Sequence, residues 1–235
     1  MRGIDIGNPF KLLFPDNCIV CKKERFIKDI PLCKDCFVGL KRVGGSLCNI
    51  CGKNIDEDEI LCDKCKDNGY DFDYVRSVYY YDKITSTIIK NFKYYNIKSL
   101  SSFISNSLYM KLQEDVNFQN VEFITYIPQS FFKSYNRYYN QSFILAKDLS
   151  ELTGIPIAEN ILKQKERIVN QAVLPRFLRE KRGEIFYPSK KDFTCFSILV
   201  VDDVFTTGKT MSDAARVLKS HFKIEKVLGI TFARS

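Results

Sequence analysis

The sequence has a single histidine, His221, and no apolar run near the ~20 residues that a membrane-spanning helix requires. His221 falls at the end of a helical pattern and is read as incidental, so chemistry built on a histidine base is not expected. The first residues carry only short apolar pieces, such as Pro9 to Pro15, without the apolar core of a signal peptide. A cytoplasmic location without membrane insertion is therefore expected. Low-complexity tracts are absent, and nothing repeats apart from a set of cysteine pairs. At 235 residues the chain can bury a sizeable core and form one or two domains. Its 45% hydrophobic and 27% charged residues are those of an ordinary soluble globular protein.

The net charge of +8 divides unevenly. Residues 1–70 carry 12 Lys/Arg against 11 Asp/Glu, and residues 71–235 carry 24 against 17. The basic surface thus belongs mainly to the C-terminal part, where it could serve pyrophosphate, nucleic acid or both. Surplus lysine on a solvated surface gives the same count, so charge alone decides little.

Cysteine is what the N-terminal part has in abundance. Eight of the nine cysteines form four CxxC pairs: Cys18/Cys21, Cys33/Cys36, Cys48/Cys51 and Cys62/Cys65. The pairs are separated by 11, 11 and 10 residues. In a chain without a secretion signal, that regularity points to two structural Zn²⁺ ions rather than disulfides. A CxxC knuckle places two sulfurs on one side of a metal, and four thiolates close a tetrahedral site with no open position for catalysis. Sequential pairing of knuckles is favoured, first with second and third with fourth; cross-braced pairing also fits the spacing. So small a segment, with few large apolar residues, would draw its folding energy from the metal. Cys195 stands apart and is expected to be a small buried hydrophobe.

Lys66-Asp67-Asn68-Gly69 reads as a turn and a boundary, dividing a zinc-binding part (1–70) from the remainder (71–235). Asp71 to Asp82 is rich in Tyr, Phe and Val and predicts a strand. The spacings Ile84, Ile88, Ile89, Phe92 and Leu100, Phe103, Ile104, Leu108 predict two helices. Tyr79 to Tyr81, Tyr94 and Tyr95 could stack on bases, although half-buried tyrosines on a strand and helix are expected. Val121 to Pro128 predicts a second sheet strand, and Phe143, Ala146, Leu149 and Leu152 the apolar stripe of a helix closed by Gly154. The loop between them contains Arg137, whose forked donors suit a diphosphate. Residues 163–183 bring Lys163, Lys165, Arg167, Arg176, Arg179, Lys181 and Arg182 together with few apolar residues, a basic segment that could close over a ligand. Val227 to Ala233 predicts a last strand.

The most informative stretch is Ser197 to Met211. Ile198-Leu199-Val200-Val201 reads as a strand buried on both faces, as in a parallel sheet. Asp202 and Asp203 follow at its carboxyl end, then a turn of hydroxyls and glycine, Thr206-Thr207-Gly208-Lys209-Thr210, and then a helical pattern. Ligands of open α/β sheets bind at such strand ends, where free N–H groups and the helix dipole favour phosphate. Acidic residues for sugar hydroxyls beside N–H groups for phosphate suggest a ribose phosphate site. A P-loop is excluded, because its first glycine would fall at Asp203. A response-regulator receiver is also excluded, since the 32 residues after Asp203 cannot supply its remaining elements. Alternating strands and helices from about residue 72 predict an α/β domain with a mainly parallel sheet.

The aspartate pair with Thr206 to Thr210 resembles the phosphoribosyl-diphosphate (PRPP) loop of type I phosphoribosyltransferases. Taken with the CxxC knuckles, Arg137-Tyr138-Tyr139-Asn140-Gln141, and the Gln171, Leu174, Arg179, Phe186 segment, the chain resembles the ComF/GntX-like family, nearly from end to end. The family's Arg-Gly-Phe-Asn-Gln has tyrosine in place of glycine here, Arg182 replaces an asparagine, and Lys209 stands where a small residue is common. The resemblance implies a double zinc ribbon (1–70) before a type I phosphoribosyltransferase-like domain (71–235). It implies that Asp202 and Asp203 hold the ribose hydroxyls as the catalytic pair. Thr206, Thr207, Gly208, Lys209 and Thr210 would cradle the 5-phosphate. Gln129, Ser130, Arg137 and Arg179 would face the pyrophosphate, with Mg²⁺ partly neutralising its charge. Two functions follow. One is transfer of phosphoribosyl from PRPP to an unidentified acceptor; the other is binding of single-stranded DNA with the competence (DNA-uptake) machinery, the PRPP site serving as sensor or relic.

Overall fold

The computed structural model of the chain describes residues 17–24, 30–67, 69–95, 98–129, 139–165, 185–189 and 192–235. Two five-residue helices, α1 (Lys34–Val38) and α2 (Asp63–Asp67), each begin beside a cysteine knuckle. Strand β1 (Tyr74–Tyr80), helices α3 (Lys83–Tyr95) and α4 (Lys98–Glu114), and strand β2 (Phe123–Tyr126) follow. After α5 (Gln141–Thr153) come the short strands β3 (Leu162–Gln164) and β4 (Phe186–Pro188). The chain closes with β5 (Ser197–Phe205), α6 (Lys209–Phe222) and β6 (Lys226–Arg234).

The main sheet has the order β1-β6-β5-β2, with every pair parallel. Strand β5 lies inside it, and Ile198, Leu199, Val200 and Val201 are all 0% exposed. Side chains alternate across a strand, so these four divide between the two faces. Leu199 and Val201 join the cluster formed with α3, α4 and α5. Ile198 and Val200 join the cluster formed with Met211, Ala214, Ala215 and Leu218 of α6. Each such side chain contributes about 1.5–3 kcal/mol by leaving water, which is why the run contains no polar residue. Phe232 of β6, also fully buried, meets the rings of Tyr79 and Phe103 at centroid distances of 5.2 and 6.1 Å.

The expected elements are present, several with shifted bounds. The third helix stripe differs in detail: Leu152 is 41% exposed, and Leu145 takes the inward position with Ala146 and Leu149. Gly154 closes that helix in the left-handed conformation (φ 74°), which a side chain would disfavour. Cys195 is only half-buried at the margin of the α6 cluster, and burial pushes its thiol up to about 11. Tyr79 is buried, Tyr80 half-buried and Tyr81 exposed. No helix among the described residues is long and apolar enough to cross a membrane.

The cysteine-bearing segment lies along the outer edge of β1. Val43 N–H donates to Val78 O and Tyr80 N–H to Lys41 O, both at 2.9 Å, and Val75 N–H donates to Ile50 O at 2.8 Å. An edge strand that would otherwise present unpaired backbone groups is thereby satisfied. Two buried arginines complete the attachment. Arg234 donates to Cys51 O at 2.8 Å, and Arg76 reaches toward Asn49 O at 3.5 Å while stacking on the Tyr74 ring.

Cysteine pairing is sequential. Cys18, Cys21, Cys33 and Cys36 form one group; Cys48, Cys51, Cys62 and Cys65 form the other. Within each group the ligand atoms all lie within 4.8 Å of one another, with Cys21–Cys33 at 3.5 Å and Cys51–Cys62 at 3.6 Å. Tetrahedral Zn–S bonds of about 2.3 Å would place sulfurs about 3.8 Å apart, so both groups fit structural Zn²⁺. Elemental analysis is expected to give about two zinc ions per chain, and a value near one would overturn one of the groups.

Candidate functional site

The site forms where β5 and β2 end side by side. The helix after β2 (α5) packs on one face of the sheet and the helix after β5 (α6) on the other. Adjacent strands whose following helices depart to opposite faces leave a crevice between their carboxyl ends, the usual ligand position in open α/β sheets.

Asp202 and Asp203 occupy that crevice within the last turn of pairing of β5. Asp202 Oδ1 accepts from Ser142 Oγ and from the Asp203 N–H, each at 2.9 Å. Ser142 lies in the first turn of α5, which Asn140 caps by accepting from the Ser142 N–H at 3.0 Å. The Asn140 amide also donates to Ile127 O at 3.1 Å, tying the cap to the end of β2. Asp203 forms an ion pair with Lys93 of α3. Gln141 is almost wholly buried; it donates to Lys93 O at 3.2 Å and accepts from the Gln129 amide. Two helices, α3 and α5, thus converge on the aspartates.

Burial first, and then the adjacent Asp203 charge, push the Asp202 carboxyl up to about 7. Donation from Ser142 and from the Asp203 N–H opposes the rise, as does Lys93. A crowded acidic pair of this kind is suited to hydroxyl donors or to a cation.

Beyond Phe205 the chain turns sharply into α6. Gly208 is the N-cap with φ 76°, a conformation that L side chains rarely adopt. A Cβ there would also meet Tyr70 Cε1 at 2.5 Å and Phe205 Cζ at 2.8 Å. Thr207 O accepts from Lys64 Nζ at 2.6 Å and from Tyr70 Oη at 3.1 Å. A recess with room for about one water, roughly 10 Å³, is lined by Asp202, Thr206, Gly208, Thr210 and Thr231, among others.

Among the residues singled out from sequence, the structure brings together Asp202, Asp203, Thr206, Thr207, Gly208, Lys209 and Thr210, with Gln129 joined through Gln141. The Lys209 side chain turns along α6 to Asp213 at 3.0 Å instead of entering the turn. Ser130, Arg137 and Arg179 lie outside the described residues, as do Arg167, Arg176, Lys181 and Arg182. Sequence reasoning missed Lys93, Ser142, Lys64 and Tyr70. Only Ser142 carries a local signal, two positions after a capping asparagine. The other three reach the site from distant parts of the chain.

An acidic strand end, a glycine-capped turn and a four-stranded parallel sheet flanked by helices define an α/β architecture, here with two Cys₄ groups attached. Residues 10–66 match the double zinc ribbon domain family. Competence protein F of Haemophilus influenzae is 26% identical over 212 residues, covering 88% of this chain and 92% of that protein. Competence protein ComFC of Bacillus subtilis is 27% identical over 216 residues, covering 88% and 85%. The DNA utilization protein YhgH of Escherichia coli is 21% identical, covering 88% and 92%. Over 88% of its length the chain is thus similar to competence and DNA-utilization proteins. Solved structures similar to part of it include the allosteric regulatory enzyme of purine biosynthesis, with TM-score 0.42 and 21% identity. That match covers 59% of this chain and only 28% of the enzyme. An adenine phosphoribosyltransferase aligns with TM-score 0.40 and 14% identity, covering 67% and 78%.

The raised Asp202 carboxyl has a consequence for stability. An unfolded aspartate releases its proton near pH 4, whereas the folded one holds it to about 7, so stability falls as pH rises across that window. Asp202→Asn is expected to raise unfolding stability by up to about 4 kcal/mol at pH 7.5 and by little at pH 4. Urea denaturation at both pH values checks this; equal effects at the two would show that no such shift exists.

Proposed function

We propose that this protein binds PRPP at the end of β5 and transfers its phosphoribosyl group to an unidentified acceptor, with release of pyrophosphate. Residues 71–235 would form the phosphoribosyltransferase-like domain and residues 1–70 the double zinc ribbon. The observation that carries the reading is the adjacency of the Asp202–Asp203 pair to the Gly208-capped turn on the central strand. The aspartates would accept hydrogen bonds from the ribose 2- and 3-hydroxyls. The N–H groups and hydroxyls of Thr206 to Thr210 would receive the 5-phosphate at the positive end of α6. Gln129, Ser130, Arg137 and Arg179 would face the pyrophosphate. Mg²⁺, which the hard oxygen donors at this strand end suit, would arrive with PRPP and neutralise part of its charge.

Displacement at ribose C1 develops oxocarbenium-like charge, and little covalent work falls to the protein. Fixing both ends of PRPP would hold C1 in place for attack, and stabilising the departing pyrophosphate would lower the barrier. No histidine base is needed. Lys93, paired with Asp203, would keep the acidic pair from carrying two uncompensated charges while the ribose is away.

A second reading draws on the names of the relatives, two of which are competence proteins, and on the basic balance of residues 71–235. Here the protein would bind single-stranded DNA during DNA uptake, with the PRPP site as sensor or relic.

The two readings separate experimentally. Mg²⁺–PRPP is expected to raise the melting temperature, by an increment equivalent to about 2.7 kcal/mol at a hundredfold excess over Kd, and Asp202→Ala with Asp203→Ala to remove the shift. An unshifted wild-type protein would sink the transferase reading. For the second reading, affinity for single-stranded DNA should fall steeply with salt and weaken when Arg176, Arg179 and Arg182 are neutralised. No affinity at low salt, or affinity indifferent to those substitutions, would count against it.

A further inference from the structure

Two side chains that the transfer chemistry does not use converge on one backbone atom of the phosphate turn. Lys64 belongs to the fourth knuckle, between Cys62 and Cys65, and its ammonium donates to Thr207 O at 2.6 Å. Tyr70, in the segment joining the knuckles to β1, donates its hydroxyl to the same oxygen at 3.1 Å. The Lys64 ammonium also lies 4.5 Å from the centroid of the Tyr70 ring, a cation–π distance. That ring is in turn stacked on Phe72 at 4.5 Å and edge-on to Phe205 at 6.3 Å. It also covers Gly208, where any Cβ would collide with it. The third knuckle, which shares a Cys₄ group with the fourth, is strapped to the sheet by Arg234, which donates to Cys51 O. Arg234 is the register partner of Phe205, the residue where β5 ends.

The geometry of a peptide bond turns this anchoring into orientation. In a planar trans peptide the carbonyl and the following N–H point in opposite directions. Holding Thr207 O on the side of Lys64 and Tyr70 therefore directs the Gly208 N–H the other way. Neither Lys64 nor Tyr70 is among the residues lining the recess, whereas Thr206, Gly208 and Thr210 are. The two side chains thus brace the turn from behind. Without them a glycine-containing turn is free to rotate this peptide, because glycine tolerates both signs of φ. A donor already aimed at an anion avoids the reorganisation that binding would otherwise require.

We propose that Lys64 and Tyr70 are positioning residues for the 5-phosphate: the second Cys₄ group holds the pair against Thr207 O, and the pair presets the Gly208 N–H toward the phosphate. The inference rests on the reading of Thr206 to Thr210 as the 5-phosphate cradle. It gives the metal-binding segment a part in ligand recognition, in addition to covering the edge of β1. Neither residue touches the substrate in this scheme.

The test is calorimetric titration of the full-length, zinc-loaded chain with three probes: Mg²⁺–PRPP, ribose 5-phosphate and Mg²⁺–pyrophosphate. Lys64→Ala and Tyr70→Phe are expected to weaken ribose 5-phosphate and PRPP by about three- to tenfold, the loss of one charge-assisted or neutral hydrogen bond partly replaced by water. Pyrophosphate affinity and the zinc content of about two per chain should be unchanged, and Lys64→Arg should recover most of the loss. Variants that bind ribose 5-phosphate as the wild type does would overturn the inference and leave the PRPP site standing. Equal losses for ribose 5-phosphate and pyrophosphate would overturn it too, since they would mark a general loss of structure. A wild-type chain that binds none of the probes would instead bring down the reading of the site, and the inference with it.

Discussion

The outer edge of β1 is the constraint on which the rest of this molecule depends. A four-stranded parallel sheet needs helices on both faces, and it also has two edges whose backbone groups require partners. One of those edges is closed by the cysteine-bearing segment, through Val43 N–H, Lys41 O and Ile50 O. That placement lets the segment divide around the sheet. Its first Cys₄ group joins the apolar cluster under α3, α4 and α5, and its second joins the cluster under α6. Zinc binding and burial therefore reinforce each other. The metal would order a segment too small to fold alone, and the ordered segment buries apolar surface that the sheet would otherwise expose.

The same arrangement brings distant residues to the end of β5. Lys93 arrives from α3, Ser142 and Gln141 from α5, and Lys64 and Tyr70 from the knuckles and the segment after them. The aspartate pair is the cost centre of the site. Two adjacent carboxylates in a half-buried crevice repel each other and lose solvation, and the structure offsets this with one lysine, one serine hydroxyl and one backbone N–H. Electrostatic strain of this kind, concentrated at one strand end, is the pattern expected where function is traded against stability.

Much of the fold was legible because its signals are local. The run Ile198 to Val201 reads as a doubly buried strand wherever it occurs, since only apolar β-branched and leucine side chains suit both faces. The CxxC spacing and the Gly208 turn are equally self-contained. The stripe of α5 was legible only approximately. Leu145 and Leu152 both fit a helical period, and which of them faces inward depends on the neighbouring helix α4 and strand β2. Cys195 shows the same limit: its composition suggests burial, but its place at the margin of the α6 cluster leaves it half-covered.

What the sequence determined by itself is the chemistry available: eight thiolates in four knuckles, two carboxylates at a strand end, and a glycine turn opening a helix. These motifs act over a few residues, so spacing along the chain is enough to specify them. Only the tertiary structure decided which knuckles come together, which lysines reach the strand end, and that the second Cys₄ group touches the turn before α6. Lys64 and Thr207 are 143 residues apart in sequence, and Lys93 and Asp203 are also remote from one another. Contacts of that range are set by the parallel register and by the way the edge of β1 is closed, neither of which leaves a mark in any short stretch of the chain.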